Sequence, residues 1–472
     1  MSSRIGTLRW LLIFPVLALF AACEESVVFR DRELFETPPD EAAGFLGYSD
    51  IDSKLTTCGN CHVGQQARWV QTAHADAWEG LQASGHSQSF CEGCHTVNEL
   101  GNAVTQLAGF NAAPEDRYHD VQCESCHGPG LTHVQNPDAS QPLAYMDADL
   151  TATVGCTECH QGTHHPFAEE WQQSKHAEIV ASAADNAACT SCHSGEGALK
   201  AWGIEVDYIE KDQLGPGNHL AITCAVCHDP HGSVNEGQLR FPVDVASEEE
   251  NLCMKCHHKR GVPDPTTFRG PHSPEGPTLL GVAGWWPPNL EFPGGSIRAT
   301  HGSEANPKLC ASCHVNSFDV TDPDTGDHVF TATGHLFEAI PCLDANGAPV
   351  PGGACDETER TFESCATSGC HGTAEVARGL KFTAEQRIDN LASALEALVA
   401  QVPASEFSTT DARYTVGEGA RFNAELARAS GAAVHNPFLI EALLTASINQ
   451  VSETYSLAPP AMDLRNLLSI SE

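Results

Sequence analysis

Methionine is nearly absent, with four in 472 residues. Met1 opens an export-like leader and Met254 lies inside a Cys-x-x-Cys-His segment, so only Met146 and Met462 could serve as thioether ligands. Aromatic residues are scarce at 7%, while Gly and Pro number 40 and 28, which argues against broad sheets and for short helices joined by long loops. Positive charge is scarce too: 25 Lys and Arg face 62 Asp and Glu, a formal net charge of −37, so no nucleic-acid partner is expected. No alternating barrel strands and no recognisable quinone site stand out. The one long apolar run, 10–22, is too short for a membrane span.

Cysteine and histidine are abundant instead, at 21 and 24. Cys123-Glu-Ser-Cys126-His127 has the spacing that covalent haem c attachment requires. Two thiols on one turn reach the two vinyl groups of a porphyrin, and the adjoining imidazole reaches the iron. The pattern recurs at Cys58/Cys61/His62, Cys91/Cys94/His95, Cys156/Cys159/His160, Cys189/Cys192/His193, Cys224/Cys227/His228, Cys253/Cys256/His257 and Cys310/Cys313/His314. A wider ninth version is Cys365-Ala-Thr-Ser-Gly-Cys370-His371. Zinc is the rival for paired cysteines, but it gives no reason for His directly after each second Cys. The expected cofactor is haem c, nine per chain, or eight if Cys365 and Cys370 form a disulfide instead. We number these motifs 1 to 9 in chain order.

Three cysteines remain. Cys342 and Cys355 enclose a Gly/Pro-rich loop and are expected to form a disulfide in an oxidising compartment. Arg4 and Arg9 precede the apolar run, which ends in Leu19-Phe20-Ala21-Ala22-Cys23, similar to a bacterial lipobox. The expectation is an exported outer-membrane lipoprotein on the periplasmic or cell-surface side, anchored through lipidated Cys23. Ordinary signal cleavage with a stray Cys is the alternative.

Two further patterns carry a family resemblance. Trp69-Val-Gln-Thr72-Ala-His74-Ala75 and Trp171-Gln-Gln-Ser174-Lys-His176-Ala177 share one Trp-x-x-Ser/Thr-x-His-Ala form, each shortly after a haem motif. Together with the Gly-Pro-Gly-x-x-His133 that follows motif 3, they resemble the tetrahaem cytochrome family of ammonia oxidisers. That resemblance implies a distal-ligand role for His74 and His176. Residues 202–280, with Cys227-His228-Asp-Pro-His231 and Gly270-Pro-His272, resemble the doubled Cys-x-x-Cys-His module of bacterial multihaem cytochromes. There the resemblance implies ligand roles for His231 and His272.

The expected organisation is a signal peptide over 1–22, an acidic tether over 23–54 and a five-haem domain over 55–201. A two-haem module over 202–280, a two-haem segment with the disulfide loop over 281–380 and a haem-free helical cap over 381–472 follow. The fold class expected is irregular loops and short α-helices wrapped around haems, with very little β and a C-terminal α-helical cap. In the cap, helices are expected over 382–400, with Thr383 and Gln386 as capping box, over 421–430, and from Asn436-Pro437 onward.

Fifteen histidines lie outside the motifs. His74, His86, His119, His133, His176, His219, His231, His272, His301, His335 and His435 are the candidates for the far side of the irons, whereas His164, His165, His258 and His328 read as solvent-facing. Bis-histidine ligation throughout implies low potentials and no open position. The resulting expectation is an electron-transfer protein passing electrons between other redox proteins or an outer-membrane conduit and a terminal acceptor, metal oxides among them. A reductase or oxidase of a small nitrogen or sulfur compound, and a subunit that self-associates into haem filaments, are the alternatives.

Overall fold

The computed structural model describes residues 35–458 apart from 152–153, 163, 265–267, 293, 323, 352–354, 368–369 and 408–413. The signal peptide and Cys23 therefore lie outside the described residues. Through residue 373 the described chain is made of helices of at most seven residues, short strand pairs and loops, in keeping with its Gly and Pro content. One such short helix, α1 (Phe167–Gln173), matters below. Strand structure among the described residues amounts to three antiparallel two-stranded pairs: Tyr48–Asp50 with Leu55–Thr56, Phe318–Thr321 with His328–Ala332, and Cys342–Leu343 with Pro349–Val350. The last pair is stapled by the Cys342–Cys355 disulfide. Fold class and sequence agree: short helices, little strand, and a helical C-terminal unit.

Part of the segment expected as an acidic tether is packed, with Ala42 and residues 45–48 buried and 49–53 exposed. Phe45 and Leu46 are fully buried, and the Glu124 carboxyl group accepts the backbone N–H of Leu46, Gly47 and Gly130 at 2.7–3.0 Å. Acidic composition gave no warning of this, because the anchoring carboxylate lies about 80 residues away, inside motif 3.

The helical unit holds the largest apolar core. α2 (Ala374–Val399), α3 (Val416–Ala427) and α4 (Pro437–Tyr455) bury Ile388, Leu391, Leu395, Leu426, Leu439, Leu443 and Leu444 against one another. Each such side chain contributes about 1.5–3 kcal/mol. α2 begins eight residues before the expected start, because Thr373 caps it by accepting the Val376 N–H, while Thr383 lies inside the helix and donates to the Gly379 carbonyl. α3 opens on a capping box of Thr415 and Glu418. α4 opens as the sequence implies, with Asn436 accepting from Leu439 N and Pro437 in the first turn. Asn423 of α3 ties the bundle to the body through both backbone groups of Trp285, each at 2.7 Å. Gly419 permits this approach: a Cβ there would meet the Trp285 ring at 2.1 Å.

Candidate multihaem site

Where the body would carry a core, it carries a cavity of about 3330 Å³, lined by residues of all nine motifs. The motifs form single turns, such as Cys123–His127 and Cys310–His314, which place both thiols and the following imidazole on one side. Sixteen imidazoles face each other in pairs across this cavity. His62 faces His133 at 6.2 Å between ring centroids, His74 faces His160 at 6.0 Å, and His127 faces His231 at 6.1 Å. His176 faces His257 at 6.2 Å, His193 faces His272 at 6.0 Å, and His228 faces His335 at 6.4 Å. His301 faces His371 at 5.8 Å and His314 faces His435 at 6.2 Å. Each pair joins one motif histidine to one histidine from elsewhere. An iron bonded to one nitrogen of each ring at about 2 Å would put the centroids about 6 Å apart, so the residues present fit a haem held between each pair.

Second contacts fix the rings. Nδ1 meets a backbone carbonyl at 2.6–2.8 Å in His127 (Pro142), His133 (Ser140), His228 (Gly237), His301 (Val434) and His314 (Phe337). Donation from Nδ1–H leaves the Nε2 lone pair for metal. Burial pushes His160, His176, His335 and His435 down to about 4, which keeps them in the neutral form that a metal requires. The Trp-x-x-Ser/Thr-x-His-Ala repeat is one structure used twice. Trp69 donates to Val121 O and Trp171 to Ile222 O, each two residues before a motif, while the Thr72 and Ser174 hydroxyls return to the Trp carbonyl at 2.7 Å. His74 and His176 then each face the motif three further along the chain.

Three candidates go elsewhere. His86 is exposed. His119 stacks on Trp78 at 3.9 Å. His219 is clasped by Asp185 at 2.8 Å and Glu196 at 2.5 Å. His95 of motif 2 rests its Nδ1 on Ala77 O at 2.8 Å, and among the described residues no second imidazole faces it in the manner of the other eight. His165, expected in solvent, lines the cavity 6.4 Å from His160 and within electrostatic reach of His95. A signal was present in its position: like His133 and His272, it follows the motif two places further along.

The cysteines draw a map of neighbours. Cysteines of motifs 1 and 3 (Cys58, Cys123), 2 and 4 (Cys94, Cys159), 4 and 6 (Cys156, Cys224), 5 and 7 (Cys192, Cys256) and 7 and 8 (Cys253, Cys310) lie side by side. Cys126 lies near Cys156, Cys227 near Cys253, and Cys313 near Cys365 and Cys370. Cys61 of motif 1 and Cys370 of motif 9 are the two exposed motif cysteines among the described residues.

Repeated attachment turns around one continuous cavity define a multihaem c-type cytochrome, with haem c as its cofactor. Residues 57–128 match the family model described as cytochrome c554 and c-prime, and residues 220–261 match the doubled CXXCH motif. Among curated proteins the chain is similar to the multiheme cytochrome MtrA of Shewanella baltica, at 26% identity over 36% of this chain and 53% of that one. It is also similar to the C-type polyheme cytochrome OmcB of Geobacter sulfurreducens, at 26% identity over 36% and 25%, and to cytochrome c-554 of Nitrosomonas europaea, at 36% identity over 22% and 54%. The chain thus spans about half or less of these relatives. In fold it is similar to the outer cell wall cytochrome OcwA, with a TM-score of 0.51 and 19% identity over 78% of both chains. No helix among the described residues is long and apolar enough to cross a membrane.

Proposed function

We propose that the chain carries nine haems c, the ninth on Cys365, Cys370 and His371, and that it conducts electrons along them. The observation that carries this reading is the set of eight facing imidazole pairs, which would close both axial positions of eight irons and leave electrons as the only moving species. Haem supplies the redox couple. The protein's part is to exclude water, hold neutral imidazoles on both faces, and set the spacing. The thiol contacts support a line running through sites 1, 3, 4, 6, 7, 8 and 9, with site 2 branching at site 4 and site 5 at site 7. The exposed edges of sites 1 and 9 suit them as entry and exit for soluble redox partners, a conduit or a solid acceptor. Export, an outer-membrane lipid anchor at Cys23 and self-association into filaments are the companion proposals, compatible with the disulfide and with the acidic surface.

A second reading rests on site 2. Among the described residues no ring faces His95 as in the other eight sites, so this iron either takes His165 or keeps an open position where a small nitrogen or sulfur compound could react. One measurement addresses both readings: redox titration of the holoprotein with low-spin and high-spin ferric haem counted separately, against total haem by pyridine haemochrome. The conduction reading expects nine haems with at least eight low-spin. Fewer than eight low-spin centres overturns it, and a single high-spin centre that turns over nitrite or hydroxylamine favours the second.

A further inference from the structure

The structure assigns a positioning role to Glu170, a residue of no haem motif, and through it to Thr333. The inference rests on the bis-histidine reading of site 6. Glu170 projects from α1 and is only 6% exposed. Its carboxyl group is filled by one short loop 163 residues away: Oε1 accepts Thr333 N–H at 2.7 Å, while Oε2 accepts the Thr333 hydroxyl at 2.8 Å and His335 N–H at 2.7 Å. Gly334 lies between these donors at φ +79°, the left-handed turn that lets two N–H groups one residue apart reach a single carboxylate, and a Cβ there would strike the Val315 backbone at 2.6 Å.

The contact continues to the metal side. The Thr333 hydroxyl has one proton and gives it to Glu170, so its 3.1 Å contact with His335 Nδ1 is an acceptance from Nδ1–H. The relay runs from carboxyl to hydroxyl to imidazole. It fixes the tautomer that points the Nε2 lone pair of His335 toward His228, 6.4 Å away between ring centroids. Phe167 of α1 meets the same ring edge-on at 4.9 Å and Phe337 at 5.5 Å, so the imidazole cannot swing out. We infer that Glu170 holds the His335 loop over site 6, and that the relay strengthens His335 as a donor and keeps this haem's potential below that of an otherwise equal bis-histidine haem. Site 6 lies between sites 4 and 7 on the line, so its potential sets the step in mid-path.

Three variants of the full holoprotein test this by redox titration and ferric spin state. Thr333→Val keeps shape and both backbone bonds but breaks the relay; all low-spin signals should persist while one haem moves to higher potential and the others hold. Glu170→Gln, uncharged at equal length, should move the same haem in the same direction. Glu170→Ala frees the loop and should convert one haem equivalent to a high-spin, carbon-monoxide-binding form. Unchanged potentials in Thr333→Val and Glu170→Gln, or displacement of several haems together, would overturn the inference. A wild type without low-spin haem would instead overturn the bis-histidine reading, which separates the two failures.

Discussion

Replacing Asn436 by alanine should loosen the C-terminal bundle and, with it, site 8. Asn436 has no exposed surface and makes three side-chain bonds: Oδ1 accepts Leu439 N–H at 3.0 Å, and Nδ2 donates to Thr278 O at 3.1 Å and Ile297 O at 2.6 Å. Loss of an N-cap costs about 1 kcal/mol. Ile297 O, left without a donor, costs about 1–2 kcal/mol more, while Thr278 O keeps the Gly281 N–H at 3.1 Å. The expected destabilisation is therefore about 2–3 kcal/mol, a large part of the roughly 5–15 kcal/mol that holds a typical domain. Asn436→Ser keeps the cap and loses only the two donations, so it should cost about 1 kcal/mol less. His435 is the neighbouring residue and faces His314, so the loosened variant should also expose site 8 to carbon monoxide on reduction. Guanidinium unfolding of the holoprotein, followed by helical circular dichroism, measures the first effect, and the ferric spectrum measures the second. A loss under about 1 kcal/mol, or alanine and serine variants of equal stability, would refute the bond accounting.

Two further outcomes follow from other contacts. Glu124→Ala strands three buried N–H groups, those of Leu46, Gly47 and Gly130, and should cost about 3 kcal/mol or more while releasing the 35–56 segment to protease, an effect read by limited proteolysis. His219 is held above its ordinary pKa by hydrogen bonds to Glu196 and Asp185, so its stabilisation is complete below about pH 6.5 and fades as pH rises through its elevated value. His219→Gln should therefore lower stability by about 0.5 kcal/mol at pH 5.5 and by less at pH 9, a difference measured by paired melts in moderate salt.

Attachment could be read from sequence because it is local: two thiols and an imidazole act within five residues, and no tertiary context is needed to see them. The histidines that face the motif imidazoles are not local. The identical five-residue offset of His86 and His219 ahead of a cysteine carried no geometric meaning, since the first faces solvent and the second is captured by Asp185 and Glu196. His74 and His176 were legible because the Trp indole and the Ser or Thr hydroxyl repeat their bonds along with them. His335 and His435 stood alone in sequence, and what delivers them is a carboxylate 165 residues away in one case and a buried helix cap in the other. The bundle was legible as helices, yet the start of α2 was not. As a local signal Thr383, with Gln386 three residues on, is the better cap, yet the helix begins after Thr373 and buries Ala377 and Ala384 along its first turns.

The bundle also bears on what a segment without cysteine does in such a protein. It has its own apolar core and could be taken for a passive lid, but two contacts argue otherwise. His435 at the foot of α4 faces His314, and the carbonyl of the preceding residue, Val434, receives Nδ1 of His301, which in turn faces His371. In the proposed reading, one turn of backbone would thus complete site 8 and orient the far ligand of site 9. In the proposed line these are the last two centres before the exposed Cys370 edge. Any movement of α4 against the body would therefore act on both centres at once, so in the proposed path the cap would govern the exit end rather than merely cover it.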